Sequence, residues 1–163
     1  MAPGGFHRSS DGSELESRLL RLIADFSSRR LLVVGDLVAD EFISGRLSRV
    51  SREAPVLILE YDRTTILPGG AGNAASNVAT MGATAQLVGV LGREDVDSRV
   101  LRAFPKGVKR SGIVRVKNYR TPVKTRILAG GLHSARQQIV RIDREGSAPD
   151  EVEIRSMVER AAL

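Results

Sequence analysis

The chain has 163 residues, 42% hydrophobic and 27% charged, which suits the core of one ordinary domain and excludes disorder by composition. It contains no cysteine, which removes disulfides, thiol catalysis and cysteine-ligated metal together. Its two histidines, His7 and His133, would leave a zinc site leaning on carboxylates, so no metal site is expected.

No apolar run approaches the length that spans a bilayer. The start, Met1 to Glu14, is polar and Gly/Ser-rich, without the apolar stretch of a secretory signal. A cytoplasmic protein with no membrane partner is the expectation. The net charge of +6 hides a division: Ser98 to Ile142 holds twelve Lys or Arg and no Asp or Glu. Such a block is either a solvated basic face or a surface for an anion. Nucleic acid is not expected as the partner, because six aromatics, none alternating with the cations, make no stacking platform. A phosphate-bearing small molecule needs only two or three of the twelve.

Residues 1–12 read as a flexible tail. Ser13 and Glu16 have capping-box spacing, and Leu15, Leu19, Leu22, Ile23 and Phe26 follow at helical intervals. Leu31 to Val34 is a short apolar run of the kind buried on both faces of a parallel sheet. It stops at Gly35-Asp36, where ligands bind in open α/β sheets. Further strands are expected over 38–45 and 55–61, the latter closed by a polar turn at Asp62-Arg63. Pro68 to Asn73 then leads into a helix of small residues that Gly82 ends. Ala85 to Leu91 reads as a strand, and Val96, Val100, Leu101 and Phe104 space a helix. Strand–helix alternation argues for an α/β layer fold with parallel pairing. After Gly112, strands at 113–116, 121–128 and 138–142 suggest an antiparallel subsheet. A last helix is expected from about Pro149, carrying Val152, Met157, Val158 and Leu163.

The segment Gly69-Gly70-Ala71-Gly72-Asn73 lets backbone approach a ligand and aims helix N–H groups outward. Its Asn73 side chain both donates and accepts, as sugar hydroxyls require. It matches neither a Walker loop nor the dinucleotide fingerprint. With Ala71, Ala74, Ala75 and Ala79 beside it, the same segment equally suits tight helix–sheet packing. Asp36 and Asp40 are candidate acceptors for polyol hydroxyls, or else a cap and a solvated strand face. Lys124 and Arg126, two apart, share one face of a strand. Gln138 and Arg141, three apart, would leave a regular strand on opposite faces. The basic strand residues form either a phosphate clamp or a solvated surface. His133 reads as surface, Glu53, Glu60 and Asp62 as loop and strand-edge charges, and no Ser-His-Asp constellation is present.

Residues 32–40 (Leu-Val-Val-Gly-Asp-Leu-Val-Ala-Asp), 48–56 (Ser-Arg-Val-Ser-Arg-Glu-Ala-Pro-Val) and 68–75 (Pro-Gly-Gly-Ala-Gly-Asn-Ala-Ala) resemble the ribokinase-like (PfkB) sugar kinases. Within that family the likeness is to the heptose 7-phosphate kinases of ADP-heptose synthesis. Residues 121–126 (Thr-Pro-Val-Lys-Thr-Arg) and 137–143 (Gln-Gln-Ile-Val-Arg-Ile-Asp) strengthen the narrower match. The resemblance implies a three-layer α/β/α sandwich, seen here in its N-terminal half over 13–163. It also implies a small β-sheet lid made of strands near 38–45, 55–61, 121–128 and 138–142, which covers the sugar and pairs two subunits.

By the same resemblance Asp36 binds sugar hydroxyls, while Gly69, Gly70 and Asn73 form part of the sugar site and hinge. Lys124, Arg126 and Arg141 become candidates for the sugar phosphate, with Asp40 and Gln138 beside them. The activity implied is ATP- and Mg²⁺-dependent phosphorylation of D-glycero-D-manno-heptose 7-phosphate at its anomeric hydroxyl. The family's catalytic aspartate, in a Gly-Ala-Gly-Asp motif, does not occur in the chain, so no catalytic residue is assigned and turnover by this chain alone is not expected. Glu41, where relatives tend to carry a base, and Ser98, where Gly is frequent, depart from the pattern. A kinase for another sugar or a nucleoside, and a non-catalytic sugar-phosphate-binding or dimerisation module, are the alternatives.

Overall fold

The structure is a computed structural model and describes residues 10–130, 135–147, 155–156 and 158–160. The expectations for His7, His133, Pro149, Val152, Met157 and Leu163 fall outside these residues.

Helix α1 (Ser10–Ala24) passes through a 3-10 turn (Asp25–Ser28) into strand β1 (Arg30–Val34). Two long strands follow, β2 (Leu37–Val50) and β3 (Leu57–Gly70), and β3 runs without a loop into α2 (Ala71–Thr80). Then come β4 (Thr84–Leu91), α3 (Asp95–Ala103), β5 (Val108–Arg115), β6 (Val123–Gly130) and β7 (Gln137–Arg144).

The strands sort into two sheets. A parallel sheet has the order β1-β4-β5, and a mixed four-stranded sheet has the order β3-β2-β6-β7. The strand at the C-terminal side of Gly112 therefore belongs to the parallel sheet, not to an antiparallel subsheet: Gly112 to Arg115 pairs in parallel with Val88 to Leu91. A β-branched run after a helix reads alike in either sheet, and only its partner decides. β6 also departs from the antiparallel expectation, since it lies parallel to β2 and antiparallel to β7.

The polar turn expected at Asp62-Arg63 is a bulge. Ser44 pairs with Arg63 and Gly45 with Tyr61, so Asp62 is the extra residue and β3 continues to Gly70.

The core lies where α2 packs on β4 and α3 packs on β2 and β3. Leu37, Leu87, Leu91, Val100 and Ala75 are fully buried there. β4 is buried along almost its whole length, as a central parallel strand must be. By contrast α1 is exposed throughout its described surface, and Leu31, Leu32 and Val34 of edge strand β1 are also exposed. Replacing Leu87 with Ala opens a cavity in the core and is expected to cost about 3 kcal/mol, read from the shift in denaturant midpoint at unchanged slope.

Candidate functional site: the junction of the two sheets

The chain leaves the parallel sheet at Val34 and enters the lid at Leu37, with Gly35 and Asp36 between. It returns through Gly70. The two crossings are tied together where the Ala71 N–H donates to the Asp36 carbonyl at 2.9 Å. Gly70 has φ 59 and ψ −131, and a Cβ there would collide with that same carbonyl oxygen. Only glycine meets both demands. The first turn of α2 is thereby fixed beside Asp36.

The two readings of the Gly-rich helix start divide by residue. Gly72 is buried, and a Cβ on it would lie 2.9 Å from the Pro68 side chain and 3.3 Å from the Phe104 ring. That glycine serves packing, as does the buried Ala75. Asn73 and Ala74 are exposed. Asp36 lines a cavity of about 300 Å³ at the C-terminal ends of β1 and β4, together with Gly35, Val88, Gly89, Val90 and Tyr119. Asn73 does not line that cavity, so the structure joins Asp36 to α2 through backbone and not through a pocket shared with the Asn73 side chain.

Asp40 is placed differently. Its carboxylate lies over Gly69, where a Cβ would come within 2.5 Å of Oδ2. Oδ1 accepts from the Arg126 guanidinium at 2.6 Å, and both side chains are 23% exposed. The guanidinium carbon sits 5.2 Å from the centre of the Phe42 ring, a cation–π distance. In register, Asp40 faces Lys124 and Phe42 faces Arg126 across the β2–β6 pair.

Gln138 and Arg141 correct the expectation drawn from regular alternation. Ile127 pairs with Val140 but Leu128 pairs with Gln138, so Ile139 is an extra residue in β7. The bulge restores the phase. Arg141, opposite Arg126, and Gln138, opposite Leu128, therefore share one face with Lys124 and Arg126. Arg141 is held by Asp143 at 2.9 Å and Gln138 is exposed. Lys124 is half-buried, with no hydrogen bond or ion pair among the described residues. Asp40, Lys124, Arg126, Gln138 and Arg141 thus make one charged face of the lid, which Gly69 adjoins.

The opposite face is apolar away from the core. Ile43, Leu47, Leu57, Ile127, Val140 and Ile142 lie on it, and four of these are exposed: Leu47, Leu57, Val140 and Ile142. Nearer the core the same face carries Glu41, whose carboxylate accepts from the Thr125 hydroxyl at 2.6 Å and from Arg144 at 2.7 Å. The acidic residue that departs from the family pattern is therefore neutralised from β7. Glu60 and Asp62 pair with Arg46 and Arg136.

Three residues escaped the sequence reading. Asp97, 1% exposed, completes a capping box with Glu94 at the start of α3, accepting the Glu94 N–H at 2.8 Å. Its other oxygen accepts the Thr121 hydroxyl, which in turn accepts the Gly92 N–H at 3.0 Å. This buried chain of bonds fastens the connection into β6 to the end of β4. The signal was an acidic residue three positions beyond Glu94, obscured because glutamate is not a usual N-cap. Tyr119, the third, shares the Asp36 cavity. Burial pushes its phenol above the ordinary 10.0, and the Asp36 and Asp97 carboxylates add to the rise.

Gly69→Ala is expected to displace the Asp40 carboxylate and lower stability by about 1–2 kcal/mol, and the loss should vanish when Asp40 is also Ala, as a double-mutant cycle by denaturant unfolding would show. For Tyr119 the raised value means that its contribution to stability is complete below the ordinary value and lost as pH climbs past it. Tyr119→Phe should match the parent at about pH 8 and exceed it at about pH 11 in thermal melts.

No family model matches the chain. Curated relatives do. The chain is 43% identical over 131 residues to the bifunctional protein HldE of Gluconobacter oxydans, covering 78% of this chain and 26% of that one. It is 37% identical over 136 residues to the protein of the same name from Hyphomonas neptunium, covering 83% and 27%. The chain thus spans about a quarter of the length of the curated relatives it matches. Among solved structures, a possible 1-phosphofructokinase from Thermotoga maritima superposes with TM-score 0.58 at 18% identity, over 81% of this chain and 40% of that one. Arabidopsis thaliana ribokinase, complexed with ribose and ATP, gives 0.52 at 20% identity, over 82% and 51%. In sequence the chain is similar to part of these bifunctional HldE proteins, and its junction and mixed lid sheet give it the ribokinase-like fold.

Proposed function

We propose that the chain forms the sugar-binding part of an ATP-dependent carbohydrate kinase whose acceptor is a heptose 7-phosphate, phosphorylated at its anomeric hydroxyl. The observation that carries this reading is the charged lid face, where Asp40 stands over Gly69 beside Lys124, Arg126 and Arg141. A carboxylate takes sugar hydroxyls, and Lys and Arg side chains take a phosphate. Asp36, at the mouth of the parallel sheet, offers a second acceptor for the polyol. Gly70 adjoins it, the exposed Asn73 on the first turn of α2 is a further donor and acceptor, and Gln138 extends the charged face.

Lys and Arg differ in how they hold the anion: the ammonium acts as a point charge, and the guanidinium aligns two donors with two phosphate oxygens. Among the described residues no group of three or more His, Asp or Glu side chains is placed to hold a cation. ATP, which such kinases use with Mg²⁺, would supply the transferred phosphoryl group. No helix among the described residues is long and apolar enough to cross a membrane.

The apolar lid face supports a second element of the proposal, pairing of two copies through the lid. It contains a hollow of about 260 Å³ bounded by Leu47, Leu57, Ala129 and Ile139. Burial of such surface against its own copy satisfies it in an isologous contact.

Calorimetric titration of the chain with heptose 7-phosphate and, separately, with ATP tests the function. Sugar-phosphate binding without ATP binding is expected, and changing Lys124 and Arg141 together to Ala should weaken it by about tenfold or more. Unchanged affinity in that variant would remove the phosphate site.

A further inference from the structure

The carboxylate best placed for a sugar is already occupied. Asp40 Oδ1 is bound to Arg126, and Oδ2 is confined against Gly69. The guanidinium also lies over the Phe42 ring. We propose that Arg126 is a specificity gate on Asp40: the phosphate of the incoming sugar draws the guanidinium away, and that exchange frees the carboxylate to accept sugar hydroxyls. The inference deepens the sugar-phosphate reading and rests on it.

The exchange conserves strong bonds. Before it there is one ionic hydrogen bond, Arg126 to Asp40. After it Arg126 serves phosphate oxygens and Asp40 serves a hydroxyl, so neither partly buried charge is left bare. A sugar without a phosphate must break the ion pair and leave the guanidinium without an anion. Discrimination thus comes from a penalty on the wrong ligand as well as from attraction to the right one.

Lys124 makes the transfer directional. It lies on the same face, level with Asp40 in the β2–β6 register, and has no partner among the described residues. An anion is therefore attracted before Arg126 moves, and afterwards Lys124 and Arg126 hold it from adjacent positions. Arg141, across the strand pair from Arg126, stays chelated by Asp143 and does not compete for Asp40. The Phe42 face gives the moving guanidinium a surface to remain stacked upon.

The test is calorimetry on the full natural polypeptide with heptose 7-phosphate, with free heptose, and with free heptose in the presence of inorganic phosphate. In the parent protein, saturating phosphate should raise the affinity for free heptose by about fivefold or more, because coupling between two ligands is reciprocal. Arg126→Gln should abolish that coupling, weaken heptose 7-phosphate by about tenfold and strengthen free heptose by about threefold. Circular dichroism and thermal melts establish that the variant is folded, and the phosphate-coupling measurement needs no variant at all. Phosphate that competes with heptose or leaves it unaffected, or an Arg126→Gln variant that loses both sugars in parallel, would overturn the gate while leaving the sugar-phosphate site intact. Failure of the parent to bind either sugar would overturn both.

Discussion

The bond from the Ala71 N–H to the Asp36 carbonyl organises the molecule. It exists because Gly70 adopts a backbone that a side chain would forbid and leaves room for that oxygen. Through it, the exit from the parallel sheet and the return from the lid become one joint. Leu37 and Ala39, fully buried just past the joint, anchor the lid's first strand in the common core. The charged lid face is positioned by this joint as much as by its own strand pairing.

The division of the lid into two faces is a matter of phase, and phase is set by bulges. Had β7 paired regularly past Ile139, Gln138 would point to the apolar side, away from Arg141. The bulge at Asp62 likewise lets the β2–β3 hairpin continue to its tip while Arg136 reaches the Asp62 carboxylate. The acid-free block of the sequence thus becomes two kinds of surface. Lys124, Arg126 and Arg141 line one face, whereas Arg115 and Arg110 are spent on backbone carbonyls, of Gly92 and of Leu101 respectively.

Elements with a self-contained signal are legible in the sequence. The small-residue helix α2 and the spaced helix α3 read correctly in type, because burial of one face imposes a period on the sequence. The apolar run at β1 is a strand as expected but an exposed edge one, with Leu31, Leu32 and Val34 uncovered. Pairing partners were not legible. Nothing local distinguishes Gly112 to Arg115 as a strand of the parallel sheet, and nothing local announces an extra residue at Ile139. The candidate site was half legible: residue type drew attention to Asp36, just past the end of β1, and to Asp40, within β2. The ion pair joining Asp40 to Arg126 spans 86 positions and has no signature along the chain. The Asp97–Thr121–Gly92 bonds were hidden for the same reason.

The parallel pairing of β2 with β6 carries a consequence for assembly. The hairpin of β2 and β3 closes over a short turn and forms early. Its other neighbour lies beyond α2, β4, α3 and β5, with Thr125 84 positions after Glu41. Closure entropy over so long a loop delays that contact. During synthesis the hairpin emerges with one edge open and waits for its neighbour. The four-stranded sheet therefore closes after the strands of the parallel sheet have been made.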